Sequence, residues 1–145
     1  MIKTFRGLLT DGEQEKIRLS TKKGKIGYKI VKFKIIANEP GDAHMEHTMK
    51  IFKVTQTVIN NTIDFSDGNL LGAAFLVGNA NEYSVGDIII FEQEIFNQDI
   101  YITHEDSGGS NSCNYYLELE AMVLTDNAAS VSTLRDIRLN PQLHA

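Results

Sequence analysis

Apolar and polar residues alternate with period two along most of this chain, which is the spacing of strands buried on one face. The clearest stretch is 114–125, where Tyr115, Leu117, Leu119, Ala121 and Val123 are predicted to point inward and Glu118 and Glu120 outward. Ile17 and Leu19 alternate with Lys16, Arg18 and Ser20 after an Asp11-Gly12 turn signal, and Lys23-Gly24-Lys25 predicts a tight turn closing a hairpin. Residues 25–37 alternate as well, but the phase slips midway. Ile26, Tyr28 and Ile30 share one face and Val31, Phe33 and Ile35 the other, so the Ile30-Val31 junction marks a bulge or a strand passing between two sheets.

The remaining elements follow from shorter patterns. Residues 38–42 form a loop by composition, and 46–57 a strand whose β-branched Thr55 and Thr57 argue against helix. Leu70–Val77 reads as a buried strand or one short helix, and its flanks Gly68 and Gly78 and its length favour the strand. Residues 86–96 hold the apolar run Ile88-Ile89-Ile90-Phe91 and then alternate through Glu92 and Glu94. Residues 99–104 form a strand with Ile100 and Ile102 on one face, and 105–112, with Gly108-Gly109 at its centre, a flexible loop. Helical spacing appears only after Asp126, with Val131, Leu134 and Ile137 three apart.

Eight or nine strands at this spacing predict an all-β fold, an antiparallel β-sandwich of jelly-roll-like type. The expected organisation is one sandwich domain over 1–126, followed by a short C-terminal helix or extended arm over 127–145. The length, 145 residues, suits one domain with a real core. No segment approaches the roughly 18 apolar residues of a membrane span. The charged, polar start Met1-Ile2-Lys3 predicts synthesis in the cytosol. Cys113 is the single cysteine, so neither an intrachain disulfide nor a cysteine-based zinc site is expected.

Charge sharpens this picture. Twelve of the fourteen Lys and Arg residues lie in Met1–Lys53, with six acids; the remainder holds two cations against thirteen acids. Complementary cationic and anionic regions on identical copies would attract, favouring a homo-oligomer, a trimer or other symmetric assembly. Antiparallel sheets also interleave distant segments, in which case the charges mix. A net charge of −5 disfavours specific or general nucleic-acid binding by the whole chain.

Catalytic motifs are not evident. Asp42, His44, Glu46 and His47 resemble a metal set, but strand geometry sends His47 to the face opposite His44 and Glu46, so no metal or other cofactor is expected. Glu92, Glu94, Asp99, Glu105, Asp106, Glu118 and Glu120 include pairs at period two, the pattern of a solvent face rather than of a glycosidase cleft. Cys113 and His104 flank one loop, yet a nucleophilic pair also needs an orienting residue and an oxyanion hole. A buried thiol is the expectation. Among Tyr28, Tyr83, Tyr101, Tyr115 and Tyr116, Tyr115 is assigned to the core; Tyr101 and Tyr116 lie on the polar side, as interface or sugar-stacking rings.

Several stretches carry a resemblance: Lys25-Ile26-Gly27-Tyr28; residues 58–67 with Ile63-Asp64-Phe65-Ser66-Asp67; residues 96–104; Asn114-Tyr115-Tyr116-Leu117-Glu118-Leu119-Glu120; and Thr133-Leu134-Arg135-Asp136-Ile137-Arg138. Together they resemble small virion structural proteins of marine tailed bacteriophages, over most of the chain. The resemblance implies a non-enzymatic building block of the particle, made in the host cytoplasm. Its partners would be copies of itself and the major capsid protein or other virion proteins. The expected role is a capsid decoration or cement component; the alternatives are a neck, tail or fibre component, or a carbohydrate-binding module. The expected interface residues are Lys32, Lys34, Glu92, Glu94, Tyr101, Tyr116, Glu118, Glu120, Arg135 and Arg138, with acidic strand faces of one copy meeting Lys-rich strands or an Arg-bearing tail of another.

Overall fold

In the computed structural model, which describes residues 1–42, 44–78 and 85–125, the alternating stretches become eight strands. They are β1 (Ile2–Leu9), β2 (Gln14–Ile17), β3 (Ile26–Ala37), β4 (Glu46–Phe52), β5 (Leu70–Val77), β6 (Val85–Ile90), β7 (Ile100–Asp106) and β8 (Cys113–Val123). All pairings are antiparallel, in a three-stranded sheet of order β1-β8-β3 and a five-stranded sheet of order β2-β7-β4-β5-β6. No helix occurs among the described residues. The expected C-terminal helix or arm, with Arg135 and Arg138, lies outside them, as does Tyr83.

The strand order is jelly-roll-like. In such a roll the first four strands fold back against the last four, and β1–β8, β2–β7 and β4–β5 are indeed paired. The remaining pairing, β3 with β6, is left open. β6 bonds to β5 and β3 to β8, and the only bridge to β3 from elsewhere among the described residues is Tyr28–Phe96. Along this seam β3 and β6 lie side by side in opposite sheets with unpaired edges.

Inward-facing residues of both sheets form one core. Leu117 and Leu119 of β8, Tyr28, Ile30 and Phe33 of β3, Ile100 and Ile102 of β7, and Met49 and Ile51 of β4 are all buried. Truncating one such aliphatic side chain to Ala costs about 2–5 kcal/mol, so the layer-to-layer contact dominates the stability of the fold.

Four expectations need correction. The bulge expected at Ile30-Val31 is present, with the register to β8 shifting between Ile30 and Lys32, but Phe33 and Ile35, expected on the opposite face, are returned by the extra residue to the face of Tyr28 and Ile30. The turn at Gly24, whose φ is +62°, is real, but it carries the chain from the five-stranded sheet to the three-stranded one and closes no hairpin. β4 stops at Phe52, and residues 53–69 leave the ladder to cross the outer face of the five-stranded sheet. Val123, expected inward, is 82% exposed because the core ends before it.

The crossing segment is tied down by side chains of the strands beneath it. Lys50 Nζ donates to Asn60 Oδ1 at 3.1 Å and to the Thr62 carbonyl at 2.6 Å. Gln14 bonds Thr55 Oγ1 and the Gln56 carbonyl through Nε2, and accepts from Gln56 N at 2.7 Å. Phe65 meets Phe91 edge-on at 5.5 Å. Lys50 is therefore buried, and desolvation lowers its pKa against the opposing pull of Glu105 and Asp67.

Candidate functional site

Two regions concentrate chemistry-bearing side chains. One is the outer face of the three-stranded sheet, which no described segment crosses, and it is ordered by register into four cross-strand rows. They are Ile2–Glu120–Lys29, Thr4–Glu118–Lys32, Arg6–Tyr116–Lys34 and Leu8–Asn114–Ile36, each reading from β1 through β8 to β3. In the first two rows each acid stands beside a lysine, and Lys29 Nζ is 4.0 Å from Glu120 Oε2. The third row sets two cations on either side of an aromatic ring. The fourth leaves Leu8 47% and Ile36 63% exposed. Tyr116 donates its hydroxyl to Glu118 Oε2 at 2.7 Å, a bond that raises the phenol's pKa and holds the ring over the sheet.

This arrangement revises the charge expectation. The acids of β8 lie between cationic β1 and β3 in their own chain, so distant segments interleave and do not form separate patches on this sheet. A surplus survives in the third row, where Arg6 and Lys34 have no acid opposite them. An acidic counterpart lies at one end of the sandwich. The connections β1–β2, β3–β4 and β7–β8 meet there, and their described residues include Asp11, Glu13, Glu39 and Asp42 and no Lys or Arg.

Of the expected interface residues, Lys32, Lys34, Tyr116, Glu118 and Glu120 share this face. Tyr101 sits apart, on the outer face of the five-stranded sheet opposite Phe52 and Lys16. Glu92 and Glu94 are not on a strand face: they follow β6 in a turn, and Glu94 Oε2 lies 3.3 Å from Lys53 Nζ. Arg6, Leu8 and Ile36 were not anticipated, because their exposure depends on how β1 and β3 register with β8.

The other region is buried beneath the acidic end. His47 of β4, His104 of β7 and Cys113 of β8 converge from both sheets, with one nitrogen or sulfur of each within 4.8 Å of the others. All three are at most 1% exposed. His47 Nδ1 lies 2.9 Å from His104 Nε2, and His104 Nδ1 lies 2.9 Å from the Thr10 carbonyl. A carbonyl only accepts, so His104 carries its proton on Nδ1 and turns a lone pair on Nε2 towards His47. Desolvation, reinforced by His104, lowers the pKa of His47, and Asp106, Asp42 and Asp11 pull the other way. Burial pushes the Cys113 thiol up to about 12, with Asp106 adding to the effect.

The loop above this cluster is anchored, contrary to the expectation of flexibility. Asp106 Oδ1 accepts from Glu46 N at 2.9 Å and Gly108 N at 3.1 Å, and Oδ2 from Asn111 N at 2.9 Å. Desolvation pushes its carboxyl pKa up, but these backbone bonds outweigh it and the net shift is downward. Gly108 packs against the His44 carbonyl with no room for a Cβ. In the sequence only the His104–Cys113 approach was visible. His47 joins because β4 pairs with β7, a contact 57 residues apart in the chain. The chain matches no protein-family model, and no curated protein matches it.

Proposed function

We propose that this chain is a non-enzymatic structural subunit of a tailed-phage particle, a decoration or cement component that contacts its neighbours through the bare face of the three-stranded sheet. The observation that carries this reading is the row Arg6–Tyr116–Lys34 beside the exposed Leu8 and Ile36. Tyr, Arg and aliphatic groups on an uncovered sheet are the composition from which protein interfaces draw their anchors. The acidic end supplies a complementary surface on a second copy or on the shell protein. The absence of catalysis is supported by where the reactive groups sit. His47, His104 and Cys113 are sealed in the core, and Glu118 and Glu120 stand beside lysines rather than across a cleft.

The viral setting is supported by the sequence resemblance and by the strand order, since jelly rolls build many capsid domains. The same strand order serves other functions, so the site and not the fold carries the proposal. A neck or tail component is the second reading. A contact between unlike surfaces, face to acidic end, repeats into a ring or a stack, which suits such a part.

The test is cosedimentation with purified capsids that lack the protein, followed by cryo-microscopy of the loaded particles. Saturable density on the outer shell is expected, with occupancy reduced about tenfold or more by Tyr116→Ala and by Arg6→Glu with Lys34→Glu. Density confined to the neck or tail would select the second reading. A strict monomer that ignores particles but binds glycans through Tyr116 would replace both with a carbohydrate-binding role.

A further inference from the structure

Beyond any role in assembly, we propose that His47, His104 and Cys113 form a three-coordinate site for a soft monovalent cation, Cu(I), that ties the two sheets together. The donor set is the first reason: two imidazoles and one thiol favour a soft ion, with carboxylates absent from the trio. The second is an unsatisfied atom. His47 Nε2 is buried and has no hydrogen-bond partner. A neutral imidazole normally has both nitrogens engaged when buried, and one left idle is destabilising. The third is the support behind His104. Its Nδ1–H is held by the Thr10 carbonyl, the outer contact that fixes a ligating histidine, and its Nε2, 2.9 Å from His47 Nδ1, would exchange that hydrogen bond for the ion. Cys113 Sγ is a weak donor 3.6 Å from the Ile36 and Asn114 carbonyls, so the sulfur forfeits little by binding an ion.

The site favours a monovalent ion over Zn(II) on two grounds. Zinc takes four ligands, and among the described residues no fourth His, Cys, Asp or Glu donor joins the trio. Asp106 is already engaged by three backbone N–H groups. Charge points the same way. Cu(I) displaces the Cys113 proton to solvent, and the resulting thiolate and ion sum to zero in a dry interior, whereas Zn(II) leaves a net positive charge there. Metal–ligand bonds of about 2.0 Å to nitrogen and 2.3 Å to sulfur place the donors of a planar three-coordinate site roughly 3.5–3.7 Å apart, so donors now within 4.8 Å of one another close by about 1.3 Å at most.

The experiment is an anaerobic titration of the full chain with Cu(I) against a chromophoric Cu(I) chelator, with X-ray absorption on the loaded protein. The expected results are one ion per chain, one sulfur and two nitrogen neighbours, and a raised melting temperature. Cys113→Ser and His47→Gln should each weaken binding at least tenfold. If either variant fails to fold, the absorption spectrum of the unaltered protein still decides. No competition with the chelator, a neighbour shell without sulfur, binding undiminished in folded Cys113→Ser, or tighter binding of Zn(II) than of Cu(I) would each overturn the proposal.

Discussion

The two sheets turn very different outer faces to their surroundings. The five-stranded sheet carries residues 53–69 across its back, and the lysine beneath that crossing, Lys50, is buried with its charge spent on Asn60 and the Thr62 carbonyl. No described segment crosses the three-stranded sheet, and its Lys32 and Lys34 stand exposed in rows with Glu118 and Tyr116 of β8. The same side chain is thus a structural tie on one sheet and a surface group on the other. What differs is whether a segment of the same chain supplies acceptors over it. The uncrossed face is the one left for a partner.

That contrast breaks most readily at the tie. Lys50→Ala should cost about 2–3 kcal/mol in chemical denaturation, because it removes two charge-assisted hydrogen bonds and leaves the Thr62 carbonyl without its donor. A cost below about 0.5 kcal/mol would mean the crossing segment is held by other contacts. Gln14→Ala removes the second tie and should cost about 1–2 kcal/mol. Hydrogen exchange should quicken at the Gln56 amide, which Gln14 accepts from, while β8 amides stay protected.

A smaller effect distinguishes the edge of the covered sheet. Asp99 accepts from Leu19 N at 2.7 Å and Ser20 N at 2.8 Å and lies 3.4 Å from Lys16 Nζ. Desolvation raises its pKa, but these bonds more than offset it, and the folded value lies below the ordinary 3.8. A depressed carboxyl stabilises the fold above its unfolded pKa and loses that contribution as pH falls through the folded one. Melting temperatures from pH 5 to pH 2 should therefore fall less steeply below about pH 4 in Asp99→Asn than in the unaltered protein. Parallel curves would show that Asp99 has the same affinity for protons folded and unfolded. Smallest of all, Lys32→Ala and Lys34→Ala should change stability by less than about 0.5 kcal/mol each, as exposed charges do.

Much of this was readable from the chain, and the exceptions have specific causes. β8 announced itself through strict alternation from Tyr115 to Ala121, and the bulge in β3 through its slipped phase. The bulge was legible but its consequence was not: restoring Phe33 to the inner face needs the β8 partner to set the register. Lys50 was unreadable as buried, because lysine is ordinarily exposed and the acceptors that bury it lie in a segment whose β-branched residues imitate a strand. Glu92 and Glu94 kept the period of a strand for a few residues after β6 had ended. The buried trio depends on β4 pairing with β7 and on the two sheets packing, neither of which local pattern encodes. The charge count was correct as arithmetic, but the interleaving of β1, β8 and β3 decided what it meant.

The central claim, that the bare face is an association surface anchored by Arg6, Tyr116 and Lys34, is tested most directly by sedimentation velocity across protein concentration and ionic strength. The unaltered protein should form discrete oligomers at low salt that dissociate as salt screens the contact. Arg6→Glu with Lys34→Glu should remain monomeric with an unchanged melting temperature, and Lys32→Glu should weaken association less because Glu118 stands beside it. Monomers throughout for the unaltered protein, or oligomers indifferent to both salt and the double reversal, would contradict it.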